Sequence, residues 1–113
     1  MLIIIPKKVD IMALIIGTYD NFDAEVLQSE TSVLVYFWAP WCRHCVAFSP
    51  TMDEVAAELD GRVNVVKIDV QAFPKLAKGF TSIPTVQIFR GGVSVFSASG
   101  TQPKQMILAV ANV

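Results

Sequence analysis

Apolar residues along this chain alternate between strand-like runs and helical spacing. Ala13 to Ile16 is a short apolar run closed by Gly17, which reads as a strand. Tyr19 to Gln28 places Phe22, Val26 and Leu27 at helical intervals, with Asp20 and Asp23 early, where acids suit a helix N-terminus. Ser32 to Ala39 is rich in β-branched and aromatic residues and predicts a buried strand that Pro40 ends. Cys42 to Leu59 predicts a long helix with Val46, Met52, Val55, Ala56 and Leu59 near helical spacing, and Pro50 is expected to kink it. Arg62 to Val70 reads as a strand, Phe73 to Lys78 as a short helix closed by Gly79, and Pro84 to Arg90 as another strand. Gly91 and Gly92 predict a tight hairpin into Val93–Ser99, and after Gly100 the segment Pro103 to Val110 predicts a final helix. The order β-α-β-α-β-α-β-β-α predicts an α/β layer fold whose last hairpin adds an antiparallel edge.

At 113 residues the chain has room for one domain. Hydrophobic residues make up 53% and charged residues 17%, which excludes intrinsic disorder. Nine Lys+Arg against ten Asp+Glu leave a formal charge of -1, so nucleic acid is not an expected partner. No apolar run approaches the ~20 residues that span a bilayer, and no membrane partner is expected. Residues 1–11 stand apart as an extension of unknown role, with residues 12–113 as the domain. Their apolar run, Leu2 to Ile5, precedes Lys7 and Lys8, the reverse of a secretory signal, so a cytoplasmic location is expected.

Both Trp, both Cys and the only His fall in one window: Trp38, Trp41, Cys42, His44 and Cys45. A Cys-x-x-Cys that opens a helix after a strand has a definite chemistry. The first Cys meets the unpaired N–H groups and positive dipole end of the helix, which lower its pKa and make it the nucleophile. The second lies one turn on, on the same face, within the ~4.4–6.8 Å Cα separation that a disulfide needs. Arg43 and His44 add positive or potentially positive charge beside the thiolate. The plainer readings are weaker. A structural zinc ion takes four ligands, and this chain has two Cys and one His, so no metal is expected unless two chains share a site. Inert buried thiols do not suit a segment flanked by Trp and basic residues. Trp38 reads as core packing and Trp41 as a surface residue of the site.

These residues give the chain its resemblance to the thioredoxins. The resemblance runs from about Ala13 to the C-terminus. It rests on the segment from Val35 through Trp38 and Trp41 to Cys45, on Pro50, on Val65 to Asp69, on Ser82 to Thr85, and on Gly91 and Gly92. It implies a thioredoxin fold, a central mixed sheet with helices on both faces. It also implies thiol–disulfide exchange with disulfide-bearing protein substrates, in the service of electron transport and cell redox homeostasis. Cys42 would attack and Cys45 would resolve. Pro84 would be cis after Ile83, whose backbone would dock an extended substrate. Trp41 would flank the site, and Gly100 would keep the surface open. No bound cofactor is implied. A flavin- and NADPH-dependent thioredoxin reductase would supply electrons to a monomer.

Two departures from the family pattern matter. Arg43 and His44 replace the usual Gly-Pro, and a His before the second Cys is similar to protein disulfide isomerases. Such neighbours stabilise the thiolate, so a less reducing pair is expected. Ile83 points back to the reductases, since isomerases tend to carry Thr there. Tyr36 replaces a buried Asp, and a phenol with a pKa of ~10 cannot serve as a carboxylate base at neutral pH. Lys67 then lacks its counter-ion and is expected to reach the Tyr36 hydroxyl or water, with Cys45 activated by water, His44 or Lys67. The principal reading is a disulfide reductase. An isomerase-like exchanger and a non-enzymatic binding subunit stand as alternatives.

Overall fold

The computed structural model describes residues 14–112; Ala13 and the proposed extension 1–11 lie outside them. Five strands form one mixed sheet: β1 (Leu14–Ile16), β2 (Val33–Trp38), β3 (Asn64–Asp69), β4 (Thr85–Arg90) and β5 (Val93–Ser99), in the order β1-β3-β2-β4-β5. β1 and β2 pair parallel with β3, while β4 pairs antiparallel with both β2 and β5. The thioredoxin fold expected from the resemblance is the fold observed.

Side chains of alternate sign build two cores from the same strands. Leu34, Tyr36, Val65, Val86 and Ile88 face α1 (Arg43–Leu59) and α2 (Lys104–Ala111). Val33, Val35, Phe37, Val66 and Ile68 face the opposite side. Along α1 the buried line is Cys45, Phe48, Met52, Val55, Ala56 and Leu59. Val46 is 53% exposed, which corrects its place in the apolar stripe: it lies one position beyond the buried Cys45. The helix continues through Pro50. Lys104 bridges Glu54 at 3.1 Å and also Glu58, which ties α2 to α1.

The second face differs from the expectation of full helices. Between β1 and β2 the helix expected over 19–28 is present but shorter, as a π-helical stretch at Asp23–Leu27. Thr18 and Asn21 cap its start: the Thr18 N–H donates to Asn21 Oδ1 at 2.7 Å and the Asn21 N–H donates to Thr18 Oγ1 at 3.3 Å. The Phe22 and Glu25 N–H groups donate to the Thr18 and Asn21 carbonyls in α-helical fashion, and by Gln28, whose N–H donates to the Asp23 carbonyl, the bonding has widened to the π pattern. In place of a helix over 73–78 there is a 3₁₀ turn at Pro74–Leu76. Pro74 removes a donor and pushes Phe73 out of helical geometry.

The hairpin forms as the glycine pair predicts. Gly91 and Gly92 have φ of 61° and 82°, the left-handed values that a two-residue turn requires. A Cβ on Gly92 would stand 2.8 Å from the Leu27 carbonyl oxygen, whereas one on Gly91 would meet nothing within 4 Å. Gly92→Ala is therefore expected to cost about 2–4 kcal/mol, and Gly91→Ala only the backbone part, about 1–2 kcal/mol. Urea unfolding of both variants checks this, and equal losses would show that the contact with Leu27 carries no weight.

Candidate active site

β2 delivers the chain to the site. After Trp38, Ala39 is buried and the Cys42 N–H donates to its carbonyl at 3.1 Å. Cys42 is the N-cap of α1, in extended conformation, and its Sγ accepts the Cys45 N–H at 3.2 Å. A helix N-terminus with an N–H aimed at sulfur stabilises a thiolate there. Cys42 and Cys45 are joined in a disulfide with Cα atoms 5.2 Å apart. Cys45 is fully buried, while Cys42 keeps 7% exposure. An incoming sulfur can therefore approach only Cys42.

The loop before β4 closes the other side. The Ile83–Pro84 bond is cis, and the Ile83 carbonyl oxygen lies 3.9 Å from Cys42 Sγ. The Gly100 N–H donates to the Pro84 carbonyl at 2.7 Å, so the end of β5 is tied to this loop. Gly100 has φ of 87° and nothing within 4 Å of an added Cβ. Only glycine holds that turn easily, and the space above it is open. Two shallow recesses meet at Ile83. One, of about 260 Å³, is lined by His44, Ile83, Pro84, Gly100 and Thr101; the other, of about 230 Å³, includes Trp41, Val70, Phe80 and Ser82. Trp41 is 69% exposed at the rim. Six residues predicted from sequence, Cys42, His44, Trp41, Ile83, Pro84 and Gly100, thus share one surface.

Tyr36, Lys67 and Arg43 stand differently from what the sequence suggested. The buried Tyr36 hydroxyl donates to the Cys45 backbone carbonyl at 2.7 Å, and its ring meets Phe48 edge-on at 5.7 Å. Burial pushes the Tyr36 phenol pKa above its ordinary value, with a smaller upward contribution from Asp53 and a downward one from the Ser49 hydroxyl. The phenol stays neutral and grips the main chain of the helix, not a sulfur. Lys67 makes no hydrogen bond to the Tyr36 hydroxyl among the described residues. Its Nζ sits over the Trp38 ring at 4.3 Å, with the Tyr36 ring centroid 6.0 Å away. A half-buried ammonium without a carboxylate partner gains from an indole face. Trp38 in turn packs against the main core, as expected, and also against the cluster of Ala39, Cys42 and Cys45. Arg43 and His44 are exposed, and among the described residues neither hydrogen-bonds to a sulfur.

Sequence reasoning passed over Ser49. Its hydroxyl donates to the Cys45 carbonyl at 3.0 Å and lies 3.3 Å from the Tyr36 oxygen. Its position four residues after Cys45 on a helix was the available signal. Thr101, in the recess beside His44, carried no signal. Among the described residues no cluster of three or more His, Cys, Asp or Glu side chains is placed to hold a metal ion. Nor, among them, is any helix long and apolar enough to cross a membrane.

The family model described as Thioredoxin matches residues 13–112. Thioredoxin 1 of Nostoc sp. is 44% identical over 89 residues, which are 77% of this chain and 83% of that protein. Thioredoxin of Synechocystis sp. is 44% identical over 86 residues, 74% of this chain and 80% of the relative. The chloroplastic M-type thioredoxin of Zea mays is 39% identical over 95 residues, 82% of this chain and 57% of the longer relative.

Proposed function

The chain belongs to the thioredoxin family and is a thiol–disulfide oxidoreductase; from this premise we propose that it works as a protein disulfide reductase with Cys42 as nucleophile and Cys45 as resolving thiol. The observation that carries the division of labour is the contrast between the two sulfurs: Cys42 reaches the surface at a helix N-terminus, and Cys45 is sealed beneath it.

In the reduced protein the Cys42 thiolate attacks one sulfur of a substrate disulfide. That S–S bond breaks, and a mixed disulfide with Cys42 forms as the leaving sulfur departs as thiolate and takes a proton. Cys45 then loses its proton and attacks Cys42 Sγ. The mixed disulfide breaks, the second substrate sulfur leaves and is protonated, and the Cys42–Cys45 disulfide remains. Two electrons and two protons have passed to the substrate. The substrate backbone lies along Ile83, whose N–H and C=O make no backbone hydrogen bond among the described residues. Trp41 on one flank and His44 and Gly100 on the other offer a mostly uncharged bed for it. Extended-chain recognition of this kind takes its affinity from main-chain bonds and its selectivity from the flanking recesses.

A flavin- and NADPH-dependent thioredoxin reductase is the proposed source of electrons, and a reducing compartment, the cytoplasm, the proposed location. The protein acts as a monomer in this reading.

The testing experiment is the redox equilibrium of the pair against defined dithiol buffers, followed by Trp fluorescence, since Trp38 packs on the cysteines. Arg43 and His44 place positive or potential charge at the thiolate end. The expected potential is therefore less reducing than the ~-270 mV reference value of thioredoxin, towards the ~-180 mV of protein disulfide isomerase. Replacing Arg43 and His44 by Gly and Pro should move it back towards the thioredoxin value. A wild-type potential already there would show that the dipeptide has no net effect. One at or above the isomerase value would overturn the reductase direction.

A further inference from the structure

A larger cavity, of about 520 Å³, lies away from the disulfide on the face covered by the two short helical turns. That volume falls within the ~300–1,000 Å³ typical of small-molecule sites. Phe22, Leu27, Leu76 and Phe89 form its apolar lining, and Gln87, Ser94 and Ser97 supply polar positions on the sheet. Its origin is legible in the fold. β4 and β5 offer a glutamine and serines here beside Phe89, and the covering segments are short, a five-residue π-helical stretch and a three-residue 3₁₀ turn.

Three features say what would fit. Lys75 and Lys78 are exposed and line the cavity, and no acidic residue does. The rim is therefore cationic. Phe22 and Phe89, with ring centroids 6.2 Å apart and edge to face, offer an aromatic wall. Gln87 is only 4% exposed. Its amide nitrogen donates to the Lys78 carbonyl at 3.4 Å and to Ser97 Oγ at 3.3 Å, both long, while its oxygen accepts no hydrogen bond from the described residues. That oxygen is not sealed from solvent, and Gln87 lines the cavity. An acceptor in the lining with no partner among the described residues can take a hydrogen bond from a ligand that brings a donor. The apolar stretch Leu2–Ile5 is a rival occupant, but Lys7 and Lys8 follow it and would meet a rim of like charge.

We propose that this cavity binds a small aryl carboxylate carrying a hydroxyl group. Its carboxylate pairs with Lys75 and Lys78, its ring lies on Phe22 and Phe89, and its hydroxyl donates to Gln87. The redox site takes no part in the binding.

The probe is hydroxyphenylpropionate, titrated into the full-length protein at low salt and followed by backbone amide NMR. Saturable shifts are expected at Phe22, Leu27, Gln87, Phe89 and Ser97, with little change at Trp41 or Ile83. Reversing both charges (Lys75→Glu with Lys78→Glu) should weaken binding about tenfold, and phenylpropionate, which lacks the hydroxyl, should bind several-fold more weakly. Ser97→Phe, an exposed edge position that fills the cavity, should abolish binding with the exchange activity unchanged. No saturable shift, shifts centred on Trp41 and Ile83, or affinity indifferent to the charge reversal would each overturn the proposal. So would nuclear Overhauser contacts placing the methyls of Leu2–Ile5 against Phe22 and Phe89 in the presence of the probe.

Discussion

Cys42→Ser is expected to bring protein disulfide exchange down to the background rate, a loss on the order of a thousandfold or more. Cys45→Ser should leave the first step intact and stop there. Cys42 is the N-cap of α1 and its Sγ accepts the Cys45 N–H, so a thiolate at this position is stabilised by the helix end. A serine hydroxyl there stays protonated at neutral pH and cannot attack sulfur usefully. Cys45 has no exposure and can reach only Cys42. Its removal therefore leaves the mixed disulfide with no internal thiol to break it. Mass spectrometry of Cys45→Ser after incubation with a disulfide-bonded protein should find the covalent adduct, and Cys42→Ser should give none. Retained exchange in Cys42→Ser, or an adduct on Cys45, would reverse the assignment.

The second large effect concerns Tyr36. Replacing this fully buried ring by Asp removes its edge-on contact with Phe48 and its hydrogen bond to the Cys45 carbonyl, and it places a carboxyl in an apolar core. The expected cost is about 3–5 kcal/mol of stability. Function should move the other way. A carboxylate beneath Cys45 can take the thiol proton, which a neutral phenol cannot, and Lys67 is near enough to turn from the Trp38 ring towards it. Breakdown of the mixed disulfide should then become faster in Tyr36→Asp at neutral pH, with a new ionisation step in its pH profile. Rapid-quench timing of that step checks this, and no gain at neutral pH would sink the idea.

Tyr36→Phe separates base from clamp. It loses one hydrogen bond, about 0.5–1.5 kcal/mol, and should leave the resolving rate unchanged within about twofold. A tenfold fall would mean that the hydroxyl itself takes part. The phenol is also a stability probe at high pH. Its folded pKa is raised by burial, so the native state holds a proton that the unfolded chain releases. That contribution is complete below pH ~10, the unfolded value, and is lost as pH rises through the folded pKa. Lys104, whose pKa is raised chiefly by its hydrogen bond to Glu58 and then to Glu54, acts in the same direction. The difference between wild type and Tyr36→Phe isolates the tyrosine, and wild type should lose stability more steeply above pH ~10.

Residue chemistry written in a short segment was readable without coordinates. Ser32 to Leu59 announces strand, turn and helix because β-branched runs, a proline and a helix-opening cysteine each act locally. The hairpin at Gly91 and Gly92 was readable for the same reason, whereas the cis bond before Pro84 was expected only through the family resemblance. The two weak helices are shorter than their apolar spacing predicts: one is a π-helical stretch at Asp23–Leu27, and at the other the ring of Pro74 leaves a 3₁₀ turn at Pro74–Leu76. Sequence by itself determined the α/β class and the cysteine pair, and the family resemblance added Trp41, Ile83, Pro84 and Gly100 as candidate rim residues. Tertiary structure alone decided how β4 inserts against β2, which sulfur is sealed, where Tyr36 and Lys67 direct their polar ends, and that a cavity opens over Gln87. Those outcomes depend on contacts between residues tens of positions apart. No local propensity encodes them, because a side chain's partners are chosen only when the strands are packed.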